Sequence, residues 1–166
     1  MVQIVNKWNS IQHSDLFKCC GSQSWVDKML RDTPPANLHE IMLNAERAWN
    51  ACNESDWLEA FSHHPKIGDV STLREKFAAT AAWASNEQSG TRNASDEVLT
   101  ELADLNNTYE ARFGFIFIVC ATGKTAEEML DLLKARIDNY REKEIHIAAA
   151  EQLKITKLRL EKLFTS

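Results

Sequence analysis

Residues 38–53, LHEIMLNAERAWNACN, set Leu38, Ile41, Met42, Ala45, Ala48, Trp49 and Cys52 three or four positions apart. That is the period of an α-helix with one buried face, and it decides how the rest of the chain is read. Upstream, residues 14–20 and 25–30 form two short helices divided by Gly21, and Thr33-Pro34-Pro35 forces a turn. Downstream, residues 56–62 continue as a short helix. His63-His64-Pro65-Lys66-Ile67-Gly68-Asp69 then breaks the pattern, because the proline pushes His64 into an extended conformation.

Beyond the break, Thr72-Leu73-Arg74-Glu75 fits a capping box that opens an alanine-rich helix to Gln88, with Gly90 placed to end it. Residues 96–113 form a long helix with Val98, Leu99, Leu102, Leu105 and Tyr109 as its core stripe. A second capping box, Thr125-Ala126-Glu127-Glu128, starts a helix to about Ile137, and residues 141–164 form the last long one. Between them Phe115-Ile116-Phe117-Ile118-Val119-Cys120 is aromatic and β-branched in the manner of a strand. An isolated extended segment has no ladder partner, yet its buried N–H groups must be paired, and a bound ligand or neighbouring loops are the two candidates. The fold expected is all-α, a single-domain helical bundle over residues 1–166 with one short extended segment at about 115–121.

Composition agrees. The 166 residues are 44% hydrophobic and 26% charged, with only five glycines and three prolines. These numbers suit one compact domain burying about two-thirds of its unfolded surface, and they disfavour turn-rich sandwiches and barrels. Nineteen basic residues against twenty-four acidic give a net charge of −5, so no general attraction to nucleic acid or anionic membrane is expected, and the partner should be a small molecule. The longest apolar run, residues 113–121, falls short of the roughly 20 residues of a membrane span. With no basic start and apolar core at the N-terminus, the default compartment is the cytoplasm. Cys19, Cys20, Cys52 and Cys120 include no CxxC and are read as reduced thiols packed as small hydrophobes.

Three places could carry chemistry. His64 carries an imidazole, a group that ordinarily titrates near neutrality, on a loop whose proline restricts it, and the competing reading is a solvated or hydrogen-bonded loop residue. Its neighbour His63 should turn the other way, so the two do not make a convincing metal pair. Glu87-Gln88 lies at a helix end where the dipole disfavours a carboxylate, and the competing reading is a surface position. Arg159, at about 100° per residue, falls near the direction of Ala148 and Gln152. A guanidinium in that apolar arc needs an anion, either Glu87 or a substrate, unless it snorkels to the rim.

With those residues in view, the chain resembles the 2-oxo-4-hydroxy-4-carboxy-5-ureidoimidazoline (OHCU) decarboxylases of urate degradation. Four blocks carry the likeness in the family's order: His64-Pro65-Lys66-Ile67-Gly68, Trp83-Ala84-Ser85-Asn86-Glu87-Gln88, the run from Arg112 to Ala121, and Lys154 to Leu160. The resemblance implies an all-helical domain without metal or organic cofactor, commonly a homodimer, that removes CO2 from OHCU and releases (S)-allantoin. By position it makes His64 the proton donor, assisted by Glu87. Pro65 and Ala84, Ser85, Asn86, Glu87 and Gln88 would be substrate contacts, and Phe117, Ile118, Val119, Cys120 and Ala121 would supply backbone contacts. Arg159 would hold the anionic substrate. One departure is Ala84, where the family often has serine; Ser85, about 100° further round a helix, could replace that hydroxyl only with a local distortion or a ligand held slightly differently. Two rival readings come from other classes: a non-catalytic helical scaffold of the purine pathway, and a metal-dependent hydrolase using His63, His64 and Asp69.

Overall fold

The computed structural model describes residues 2–65, 70–71, 73 and 92–166. Its described residues form eight helices and no strand: α1 (Val2–Ser10), α2 (His13–Cys19), α3 (Gln23–Arg31), α4 (Leu38–Asn50), α5 (Glu54–Ser62), α6 (Arg92–Phe113), α7 (Ala126–Arg136) and α8 (Arg141–Thr165). The all-α expectation holds. None of these helices is long and apolar enough to cross a membrane. The alanine-rich helix expected to Gln88 lies outside the described residues apart from its start, where Leu73 is helical and buried.

Side-chain caps explain several boundaries. Ser22, Asn37, Asn53 and Thr125 accept the N–H groups of Trp25, Glu40, Asp56 and Glu128 at 3.2, 2.9, 3.1 and 3.1 Å, each worth about 1 kcal/mol of helix stability. The helix read to Asn53 ends at Asn50 because the Asn53 side chain is taken by the next helix. There the Asp56 carboxylate returns to the Asn53 N–H at 3.0 Å. Gly114 ends α6 with φ +81° and donates its N–H to Glu110 O at 2.8 Å, a left-handed stop that suits glycine. Residues 116–121 then carry neither helix nor ladder, which is where one extended segment was expected. The unanticipated element is α1, anchored by buried Trp8, whose ring stacks on Phe164 at 5.9 Å.

The contacts divide the chain into two compact units. One comprises Met1–His64, Ile118–Cys120 and Ile147–Ser166. Its core holds Leu16, Trp25, Val26, Met29, Ile41, Phe61, Ala148 and Leu160, all buried. A buried indole needs an acceptor for its N–H, and the helices supply one: Trp25 donates to Ala45 O at 3.1 Å and Trp49 to Ala149 O at 2.9 Å. The second bond ties α4 to the middle of α8.

The other unit comprises Pro65–Phe117 and Ala121–His146. Here Tyr109, Phe113, Phe115 and Phe117 form an aromatic cluster, with ring centroids 4.6, 5.9 and 5.3 Å from that of Tyr109. Beside it the fully buried carboxylate of Glu144 meets Arg136 at 2.6 Å, the Tyr109 hydroxyl at 2.5 Å and the Asn139 amide at 3.0 Å, while the Arg136 guanidinium lies 4.5 Å from the Phe117 ring centroid. Burial and the neighbouring carboxylate push the Tyr109 phenol well above its ordinary range.

Candidate active site

His64 follows directly on α5. The last turn of that helix is closed by His63 N–H to Ala60 O and His64 N–H to Phe61 O, both 3.2 Å, and buried Ala60 and Phe61 hold this end down. The two histidines then engage separate partners. The exposed His63 packs its ring edge-on to Phe17, with centroids 4.9 Å apart, and lies against Gly21. His64 is half-buried, and its Nε2 sits 2.5 Å from Oε1 of Gln152 on α8. Gln152 is fully buried, and its amide nitrogen donates to Thr156 Oγ1, one helical turn on, at 3.1 Å.

A cavity of about 190 Å³ opens beside this pair, bordered among the described residues by Phe17, Lys18, Gly21, Ala60, His63, His64 and Arg159. Arg159 does not enter the apolar arc: its side chain is exposed, and Nη1 points to the carbonyls of Lys18 and Cys19 at 3.5 and 3.4 Å. The long stem carries the guanidinium from the Gln152 face of α8 out to the rim, where it keeps its hydration and meets the carbonyl end of α2. Of the expected site residues, His64 and Arg159 therefore share one cavity edge. Pro65 follows His64 and is exposed. Glu87, with Ala84, Ser85, Asn86 and Gln88, lies outside the described residues, as does the Asp69 of the metal reading.

Of the segment from Phe117 to Ala121, Ile118–Cys120 belong to the first unit, and Phe117 and Ala121 to the second. Phe117 is buried in the aromatic cluster, and Ile118 and Cys120 are buried, while Val119 and Ala121 are partly covered. The Cys120 N–H donates to the Glu151 carboxylate at 3.2 Å. That accounts for one backbone donor of the segment through a side chain of α8. The four cysteines are free and buried, and burial pushes the Cys19 thiol up to about 11 and Cys20 up to about 12, so both stay protonated and unreactive at neutral pH.

Gly21 is the position most exposed to a steric test. A Cβ there would lie 2.7 Å from His63 Cβ and 2.8 Å from its Cγ and Cδ2, atoms too near the backbone to swing aside. Gly21→Ala is expected to cost about 1–3 kcal/mol by overpacking, read as a lowered melting temperature, and to displace the histidine loop. An unchanged melting temperature would show that the α2–α3 corner yields freely.

Sequence reasoning missed Gln152 as a site residue. The available signal was its polar pairing with Thr156 at i,i+4 within the apolar face of α8.

An all-helical fold with a histidine loop braced against the last helix is the setting in which the comparisons fall. A model of the OHCU decarboxylase family matches residues 10–161, and the chain belongs to that family. It is 43% identical over 150 residues to the uric acid degradation bifunctional protein TTL of Arabidopsis thaliana, covering 89% of this chain and 45% of that protein. The chain thus spans under half the length of that relative. With the 2-oxo-4-hydroxy-4-carboxy-5-ureidoimidazoline decarboxylase of Haloferax volcanii it shares 26% identity over 167 residues, 99% of this chain and 96% of the other. Among solved structures, an OHCU decarboxylase crystallised in the presence of (S)-allantoin superposes with a TM-score of 0.72 at 41% identity, covering 92% of this chain and 99% of that one.

Proposed function

We propose that this chain decarboxylates OHCU to (S)-allantoin in urate degradation, with His64 handling the proton and Glu87 assisting it. The observation that carries the reading is the family match over residues 10–161, which includes the histidine loop and most of the helix that braces it, Gln152 among its residues.

The residue types suit the reaction without an added electron sink. In OHCU the leaving carboxylate sits β to a ring C=N, so the electrons of the breaking C–C bond pass into the ring as CO2 departs. His64 manages the proton of the adjacent hydroxyl or imine. A proton then replaces CO2 on one face of the enol-like intermediate, and that choice of face sets the S configuration. Arg159 at the cavity edge and the backbone of residues 117–121 fix the anionic groups, as expected from the resemblance. A cytoplasmic homodimer completes the proposal, and light scattering of the purified protein tests the assembly.

Spontaneous decay of OHCU gives racemic allantoin, so enantiomeric excess is the informative readout. Freshly generated OHCU, followed by circular dichroism, should develop the ellipticity of the S product when the protein is present and none when it is absent. Racemic product at the uncatalysed rate would remove the assignment and favour the scaffold reading.

For Arg159→Lys, the Michaelis constant is expected to rise several-fold with a smaller change in kcat, because an ammonium loses the two-pronged grip of a guanidinium. An unchanged Michaelis constant would leave Arg159 as a partner of the α2 carbonyls alone.

A further inference from the structure

We infer that Gln152 is a positioning residue that keeps the Nε2 nitrogen of His64 protonated, so that Nδ1 is the nitrogen whose proton is exchanged during the reaction. The inference rests on the reading of His64 as the proton-handling group. It goes beyond that reading by naming which nitrogen acts and what enforces the choice.

The chemistry of an amide supplies the argument. Its oxygen only accepts and its nitrogen only donates, so the direction of one bond fixes the direction of the next. Gln152 is fully buried and cannot exchange either partner for water. Its nitrogen donates to Thr156 Oγ1 at 3.1 Å, and its oxygen faces His64 Nε2 at 2.5 Å. Thr156 is itself buried, so the row from His64 through Gln152 to Thr156 ends inside the protein. A carbonyl oxygen facing Nε2 requires a proton on that nitrogen in every charge state of the ring. The neutral ring is then the Nε2–H tautomer, and only Nδ1 can gain or lose a proton. The charged or titratable groups that line the cavity with the ring, among the described residues, are His63 on the same loop, Lys18 at the end of α2 and Arg159 on α8.

The test has two arms. In ¹⁵N-histidine-labelled wild-type protein, long-range ¹H–¹⁵N correlations above the titration range should report the Nε2–H tautomer for His64, assigned by its loss in His64→Asn. In Gln152→Glu, a carboxylate facing the same N–H should move the limb of the kcat/KM profile that reports His64 to higher pH by about one unit or more. Gln152→Leu should lower kcat by about tenfold or more, with loss of the fixed tautomer and little change in the Michaelis constant. A role confined to packing would leave tautomer and pH profile unmoved. The Nδ1–H tautomer in the wild type, or a folded Gln152→Glu protein with an unshifted profile, overturns the inference. Should Gln152→Glu fail to fold, the wild-type spectrum and Gln152→Leu decide. Absence of decarboxylation by the wild type would strike the functional reading instead, and the spectrum would still settle the tautomer.

Discussion

His64→Asn is expected to lower kcat/KM for OHCU by about 10²-fold or more, corresponding to about 3 kcal/mol or more of lost barrier reduction. Asparagine keeps a polar amide on the loop, but it has no proton to exchange near neutral pH. The measurement is the initial rate of enantiomeric excess from freshly generated substrate, beside a thermal melt. Because His64 is half-buried on a loop after α5, with its backbone bonded to Phe61 O, the melt should change little. Near-normal (S)-allantoin formation by a folded variant would remove His64 from the reaction.

The second large effect is on stability. Glu144→Leu removes the acceptor shared by Arg136, the Tyr109 hydroxyl and the Asn139 amide, and takes from the buried guanidinium the carboxylate it meets at 2.6 Å. Breaking a buried pair in this way costs about 3–5 kcal/mol, a large share of a domain's stability. Replacing both partners, Arg136→Met with Glu144→Leu, should recover much of that loss, because the pair's own desolvation is then avoided. Recovery should stop short of the wild type, since Tyr109 and Asn139 still lack their acceptor. Urea midpoints of the two single variants and the double variant form the cycle. A Glu144→Leu midpoint within error of the wild type would mean the Arg136 charge finds water or another acceptor.

The sequence made the helices legible wherever an apolar stripe and a cap coincided. The stripe of α4 and the Thr125 cap of α7 are examples, and both lie where the periodicity put them. Boundaries slipped where one residue could serve two helices: Asn53 reads as the tail of α4, yet its side chain caps α5. The α1 helix escaped because Trp8 finds its partner, Phe164, at the far end of the chain, and no local pattern announces such a stack. The site was legible by residue type at His64 and only partly at Arg159. Angular arithmetic gives the direction of a Cβ, whereas a side chain of that length decides for itself where its charge ends up. Gln152 was harder still, since a lone amide on an apolar helix face gains meaning only once the imidazole opposite it is placed. The Glu144 cluster draws on three separate segments and has no spacing to detect.

Cys20, buried in the same unit as His64, offers a way to time the opening of that interior. Its sulfur is inert while covered, so an alkylating reagent at mildly alkaline pH records how often the interior beneath the imidazole breathes open, without any substrate being present. The same molecule therefore carries its own chemical clock, and a substitution that loosens this corner would make the clock run faster before any loss of turnover is seen.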